Sequence, residues 1–210
     1  MKKYGLLIIY ALFIPTIGIS QSVKNVVEVP KQEIEIISGN PKYFNKVDSY
    51  YIQFDYTDLK IGGYENEEAY IAYMREDAEL RRKSPDEWEQ KWFNDRATVF
   101  EPKFLELFHK YAGAKIKLES KGSDQKFILQ FHTQFIEIGF NRNFKESPTY
   151  INVIVTISDT TSKEEPLIIS MKYVIGREVM SSYSANFRRI EEAYGKCGKE
   201  LAKYMRKVIY

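Results

Sequence analysis

The chain has 210 residues, is 44% hydrophobic and 15% aromatic, and carries 31 Lys and Arg against 29 Asp and Glu, a formal charge of +2. Lys2 and Lys3 account for that excess, so the remainder has no global field to gather nucleic acid or an anionic membrane. A single cysteine, Cys197, excludes an internal disulfide, and the length suits one domain held together by packing.

Residues 1–20 have the zones of a secretory signal peptide. Lys2 and Lys3 precede an uncharged apolar run over residues 6–14, Pro15 breaks it, and Gly18 and Ser20 put small side chains before Gln21. The run is shorter than the roughly 20 apolar residues of a spanning helix, so cleavage before Gln21 is expected rather than anchoring. The expected product is exported to the periplasm or outside the cell, has no membrane-crossing segment, and is not a lipoprotein, since no Cys stands near the cut.

Residues 21–45 read as an amino-terminal arm, with Pro30 and Gly39-Asn40-Pro41 as breakers and residues 33–36 alternating like a short edge strand. A single α/β domain is expected over 46–210. It begins with an aromatic-rich strand at 49–56, after which Gly62-Gly63 closes a connection. A helical insertion at about 66–112 follows. Its clearest boundary is Ser84-Pro85-Asp86-Glu87, which places Ser84 at an N-cap, Pro85 at the first helical position and Glu87 as the return partner of a capping box. Pro102 signals a further start, Phe104, Leu105, Phe108 and Tyr111 share one face, and Gly113 sits where a C-terminal cap belongs.

A meander of about four strands comes next. Ala114 to Glu119 is short, and residues 121–124 read as a turn. Phe127, Leu129 and Phe131 share a face, but after Thr133 the apolar set moves to Ile136, Ile138 and Phe140, a change of parity that predicts a β-bulge. Residues 150–158 alternate, breached only by Ile154, and Leu167, Ile169, Met171, Tyr173 and Ile175 mark the last strand. The chain closes on a long amphipathic helix with Phe187, Ile190, Tyr194, Cys197, Leu201, Tyr204 or Met205, and Val208 at steps of three and four. Its other face carries Arg188, Arg189, Lys196, Lys199, Lys203, Arg206 and Lys207. The expected fold is α+β: a largely antiparallel sheet of about five strands with helices packed on one face.

No metal, nucleotide or nucleophile signature is present, and no cofactor is implied. His109 and His132 are the only histidines and have no zinc-ligand spacing. Cys197 lies on an apolar stripe, the setting of an inert thiol. The acids of the middle helices are interleaved with Arg75, Arg81 and Arg82, as on a solvated surface. Gly62-Gly63 has no Lys and Ser/Thr to make a phosphate loop. Charge is segregated, however: residues 184–210 hold seven Lys or Arg against three Glu, and residues 65–101 hold eleven acids against six bases. Arg188, Lys196, Lys199, Lys203 and Lys207 are therefore the candidate partner-binding face, for an envelope protein or an anionic surface.

The closing order of an alternating strand at 150–158, Asp159 with a turn, a second strand at 167–176 and a helix bearing Leu201-Ala202-Lys203-Tyr204 resembles small bacterial envelope proteins with a domain like the TolB amino-terminal domain. The resemblance covers residues 49–210. It departs in the enlarged helical section at 66–112 and in having no lipobox Cys. It implies an assembly or interaction module with no catalytic residues to carry over. The function expected is thus that of an exported, non-catalytic envelope protein that binds another protein or a cell-wall component. Two alternatives stand beside it: a peptidoglycan or glycan hydrolase drawing on Asp55, Asp58, Glu137 and Asp159, and a carrier of small apolar ligands.

Overall fold

Branched and aromatic residues at period two, and apolar residues at period 3.6, divide this chain between one large sheet and a helical layer. The computed structural model describes residues 25–26, 28–119, 126–142, 145–176 and 185–210. The expected leader (1–20) and the expected turn at 121–124 lie outside them. In chain order the elements are β1 (Asn25–Val26), β2 (Glu33–Ser38), a 3-10 turn (Pro41–Phe44), β3 (Ser49–Asp55), β4 (Lys60–Ile61), α1 (Glu67–Leu80), α2 (Pro85–Asp95), a π turn (Arg96–Phe100), α3 (Glu101–Ala112), β5 (Lys117–Glu119), β6 (Phe127–Glu137), β7 (Phe140–Arg142), β8 (Lys145–Ser147), β9 (Tyr150–Asp159), β10 (Leu167–Ile175) and α4 (Ala185–Val208).

The fold is α+β. The main sheet has seven strands in the order β2-β10-β9-β6-β3-β5, with β4 pairing onto β6 beyond the end of β3. It is larger than the five strands expected, and it is mixed. β2, β10, β9 and β6 run antiparallel, whereas β3 lies parallel to β6 and β5, and β4 parallel to β6. The parallel half arises because the helical section is a crossover: it returns the chain to the edge where β3 began, which a hairpin does not do. Glu33–Ser38 is a full edge strand against β10 rather than only part of an arm. A small sheet of β1, β8 and β7 stands apart.

The bulge expected in β6 is present: pairing with β9 shifts between Thr133 and Phe135, so Phe131, Thr133 and Ile136 all face the core. A second bulge, in β10, was not expected. Tyr173 takes a positive φ of 54°, its N–H donates to Asn152 Oδ1 at 2.8 Å, and Val174, not Tyr173, enters the core.

The buried side of β9 (Ile151, Val153, Val155, Ile157) and of β6 meets α3 and α4. Phe104 of α3 stands 4.6 Å from Phe131, centre to centre, and Phe54 packs 5.5 Å from both. Ser84 caps α2 as read, its Oγ accepting from Glu87 N at 3.2 Å. Between α2 and α3 the helix does not stop. It widens into the π turn just before Pro102, a residue that donates no backbone hydrogen bond. Gly113 closes α3 with φ 66°.

Ile190, Tyr194, Cys197, Leu201 and Met205 of α4 are all buried, with Met205 rather than Tyr204 completing the stripe. α3 and α4 touch through glycine. A Cβ on Gly198 would lie 2.2 Å from the carbonyl oxygen of Phe104, and one on Gly195 2.9 Å from Leu107 Cδ1. Arg189, expected on the polar face, is buried instead. The end of β10 crosses there, with Gly176 against the Arg189 carbonyl at a distance that admits no Cβ.

Candidate functional site

The amphipathic pattern of α4 leaves one stripe in solvent, and charge on that stripe is mostly positive. Arg188, Lys203, Arg206 and Lys207 are exposed and Lys196 and Lys199 half-buried, with Glu192 and Glu200 as the acids among them. All five basic residues singled out from the sequence therefore share the outer side of one helix. Beneath them lies Tyr111 of α3. Lys199 Nζ is 5.2 Å and Lys203 Nζ 5.3 Å from its ring centre, within cation–π range. Arg206 Nη1 donates to the Tyr111 carbonyl at 3.2 Å. Glu200 Oε1 lies 3.8 Å from Lys199 Nζ and 3.5 Å from Lys203 Nζ, so one carboxylate is shared by two ammonium groups.

An open groove of about 450 Å³ runs over this face. Leu107, Tyr111 and Ile175 supply its apolar walls, and Glu192, Lys196 and Lys199 its charges. Two ammonium groups beside a phenol ring and aliphatic walls suit a carboxylate carried on a partly apolar body. Tyr111 was legible in the sequence only as one member of an apolar helix face.

A second polar cluster lies inside the helical layer, and sequence reasoning missed it. Trp92 Nε1 donates to Glu67 Oε1 at 2.6 Å, and Arg96 Nη2 pairs with the same oxygen. The Arg96 guanidinium stacks between Tyr56, 4.3 Å from its ring centre, and Phe93, at 4.9 Å. Tyr56 OH donates to Glu101 Oε1 at 3.2 Å, and Thr133 Oγ1 and Tyr194 OH are 2.8 Å apart. Burial pushes the Glu101 carboxyl above its usual range, against the opposing pull of Tyr56 and Arg96. Each of these contacts joins different elements, so the cluster ties α1, the π turn, β3's end and α4 together. The Trp92–Arg96 spacing, one helical turn, was the only local trace of it.

Three of the four carboxylates of the hydrolase alternative, Asp55, Glu137 and Asp159, are not brought together. In the sheet register Asp159 stands opposite Phe127 and Asp55 opposite His132, with Glu137 five residues further along β6. At ~3.3 Å per residue these levels are ~16 Å apart, beyond the ~5–10 Å of paired glycosidase carboxylates. Each acid also has local work. Burial would raise the Asp55 carboxyl, but hydrogen bonds from Thr57 Oγ1 (2.7 Å), Thr57 N (2.9 Å) and Gln130 (2.8 Å), with His132 nearby, hold it below its usual range. Asp159 is likewise held low, despite burial, by Tyr43 OH at 2.7 Å, Thr161 Oγ1 and N at 2.8 and 2.9 Å, and Lys126 at 3.2 Å. Glu137 Oε1 accepts from Gly139 N at 3.2 Å. Asp58 sits in the turn after β3 at φ 54°.

His109 Nε2 accepts from Leu118 N at 3.1 Å, and His132 Nε2 donates to Thr57 O at 2.8 Å. Cys197 is fully buried, which pushes its thiol well up and out of reach of the thiolate form. Among the described residues no three His, Cys, Asp or Glu side chains gather as a metal site, and no helix is long and apolar enough to cross a membrane. An enclosed apolar crevice between Tyr70, Trp88, Trp92 and Phe187 holds about 10 Å³. That is near the room of a single water, not of an apolar cargo.

No family model, curated protein or solved structure matches this chain.

Proposed function

We propose that this chain is an exported, non-catalytic module that binds an acidic protein partner through the outer face of α4. The observation that carries the reading is Tyr111 beneath Lys199 and Lys203, at the edge of an open groove. An ammonium held over an aromatic ring keeps its charge and gains a fixed place, so the face is arranged before a partner arrives. Export rests on the charged, apolar and small-residue zones of residues 1–20; intact mass of the chain recovered from the exported fraction should begin at Gln21, and a full-length chain in the membrane fraction would overturn it. Binding is tested by titrating a dye-labelled acidic peptide against the wild type and the Lys199→Glu/Lys203→Glu variant at two salt concentrations. Association should weaken steeply with salt and fall in the variant mainly through a slower on-rate. Equal binding by the two proteins at both salt levels would refute the reading.

A further inference from the structure

The basic stripe of α4 has a counterpart on the same molecule. Glu68, Glu76 and Glu79 of α1 are exposed. Ala72 lies between them on the same side, at the spacing that aligns residues on one helix face. The cations of this region are mostly turned to internal pairs. Arg75 bridges Asp86 at 2.8 Å and Glu89 at 2.5 Å, Arg81 pairs with Asp77 at 2.7 Å, and Lys91 with Asp95 at 2.6 Å. Arg82 and Lys83 stand beyond the end of α1. Glu68, Glu76 and Glu79 take part in no ion pair among the described residues.

The two stripes match in register as well as in sign. Along α1 the acids at 68, 76 and 79 are separated by eight and then three residues. Along α4, read backwards, Lys207, Lys199 and Lys196 are separated by eight and then three. Laid antiparallel, the helices set Glu68 against Lys207, Glu76 against Lys199 and Glu79 against Lys196, with the small Ala72 opposite Lys203. Each set spans eleven residues, ~16 Å at 1.5 Å per residue. Tyr73 and Leu80, exposed beside the acids of α1 at 49% and 78%, supply apolar contact at the margin.

We infer that the acidic partner of α4 is a second copy of this chain, docked by its α1. The inference rests on the reading of the α4 face given above and names its occupant. α1 packs mainly on α2 and β4, and α4 mainly on α3, β9 and β10, so the two stripes are carried by different helices of one copy. Each copy offers one acidic and one basic helix, so two copies can satisfy both stripes reciprocally in a two-fold dimer, or each can engage a different neighbour and continue the assembly. One helix laid on another buries less than the ~1,200 Å² of a stable interface, so the association is weak and depends on salt.

Sedimentation of the purified chain tests this, using the wild type, Lys199→Glu, Glu76→Lys, and an equimolar mixture of the two variants. Circular dichroism confirms that each variant is folded. At about 0.01 M salt, where screening reaches ~30 Å, the wild-type average mass should rise with concentration to that of a dimer or beyond. At about 1 M salt, where screening is ~3 Å, it should return to monomer. Each single variant should associate at least about tenfold more weakly, since it places like charges opposite one another. Mixing should restore association, because the acid introduced at position 199 of one variant then meets the base introduced at position 76 of the other. A wild type that stays monomeric at low salt, or a mixture no better than its components, would overturn the inference. The labelled acidic peptide separates the two levels: if it binds α4 while the chain remains monomeric, self-association falls and the α4 reading stands.

Discussion

Gly198→Ala is the sharpest test of how α4 is seated. Gly198 lies inside a helix, where alanine is intrinsically favoured over glycine by about 1 kcal/mol. Its Cβ, however, would lie 2.2 Å from Phe104 O, 3.0 Å from Phe104 C and 3.1 Å from Phe108 N, all backbone atoms of α3. A C···O contact settles near ~3.3 Å, so the helices have to part by about 1 Å. A gap of that size forfeits a quarter to a half of the attraction between the surfaces it opens, among them Phe104, Phe108, Leu201 and Ala202, all buried. Overpacking costs about 1–3 kcal/mol and sometimes more, and against three backbone atoms, which no rotamer change relieves, the upper part of that range, about 2–3 kcal/mol, applies. The clash therefore outweighs the propensity gain, and a net loss of about 1–2 kcal/mol is expected, or ~2–8 °C in Tm for a chain of this size. Urea unfolding followed by the fluorescence of Trp88 and Trp92 measures it. Gly63→Ala is the control, since nothing lies within 4 Å of its Cβ. Gly195→Ala meets only side-chain atoms, of Leu107 and Lys103, and should cost less than Gly198→Ala. A Gly198→Ala protein as stable as the wild type would refute the close approach of the two helices.

Leu201→Ala removes a fully buried side chain and should cost about 2–5 kcal/mol, whereas Lys203→Ala on the outer side should change stability by no more than about 1 kcal/mol; equal losses in chemical denaturation would mean the helix is rotated. Glu67→Gln leaves the half-buried Arg96 guanidinium without its carboxylate and should cost about 3 kcal/mol, read in the same assay. Because Asp159 is held below its unfolded value, its contribution is complete above about pH 4 and lost as pH falls. Asp159→Asn should therefore be less stable than the wild type at pH 7, and its stability should fall less steeply below about pH 4. Parallel pH profiles would show that the bonds from Tyr43, Thr161 and Lys126 do not favour the carboxylate.

What was legible in the sequence depended on local signals. The N-cap at Ser84, the parity change after Thr133 and the apolar stripe from Ile190 to Leu201 each involve residues a few positions apart, and each is present. The parallel placement of β3 was not legible, because it depends on where the crossover returns the chain. Nor was the bulge at Tyr173: an alternating stretch reads as an unbroken strand, and the shift depends on Asn152, 21 residues away, accepting the Tyr173 N–H. The basic face was visible as helical spacing, but its aromatic floor was not, since Tyr111 comes from a different helix. Glu67 and Arg96 are 29 residues apart, so no local spacing pairs them.

The same packing that decides the Gly198 prediction decides the geometry of the α4 face. Tyr111 belongs to α3 and Lys199 and Lys203 to α4, so the 5.2 and 5.3 Å cation–π distances depend on how closely the two helices approach. Gly195 and Gly198 set that approach. Parting the helices by about 1 Å takes both distances to about 6 Å, the edge of the cation–π range. The glycines are thus coupled to the charged face, although neither touches solvent. A Gly198→Ala protein kept folded at low temperature should consequently bind an acidic peptide more weakly than the Gly63→Ala control. Equal affinity in those two proteins would show that the ammonium groups act as independent surface charges, and that Tyr111 holds neither of them in place.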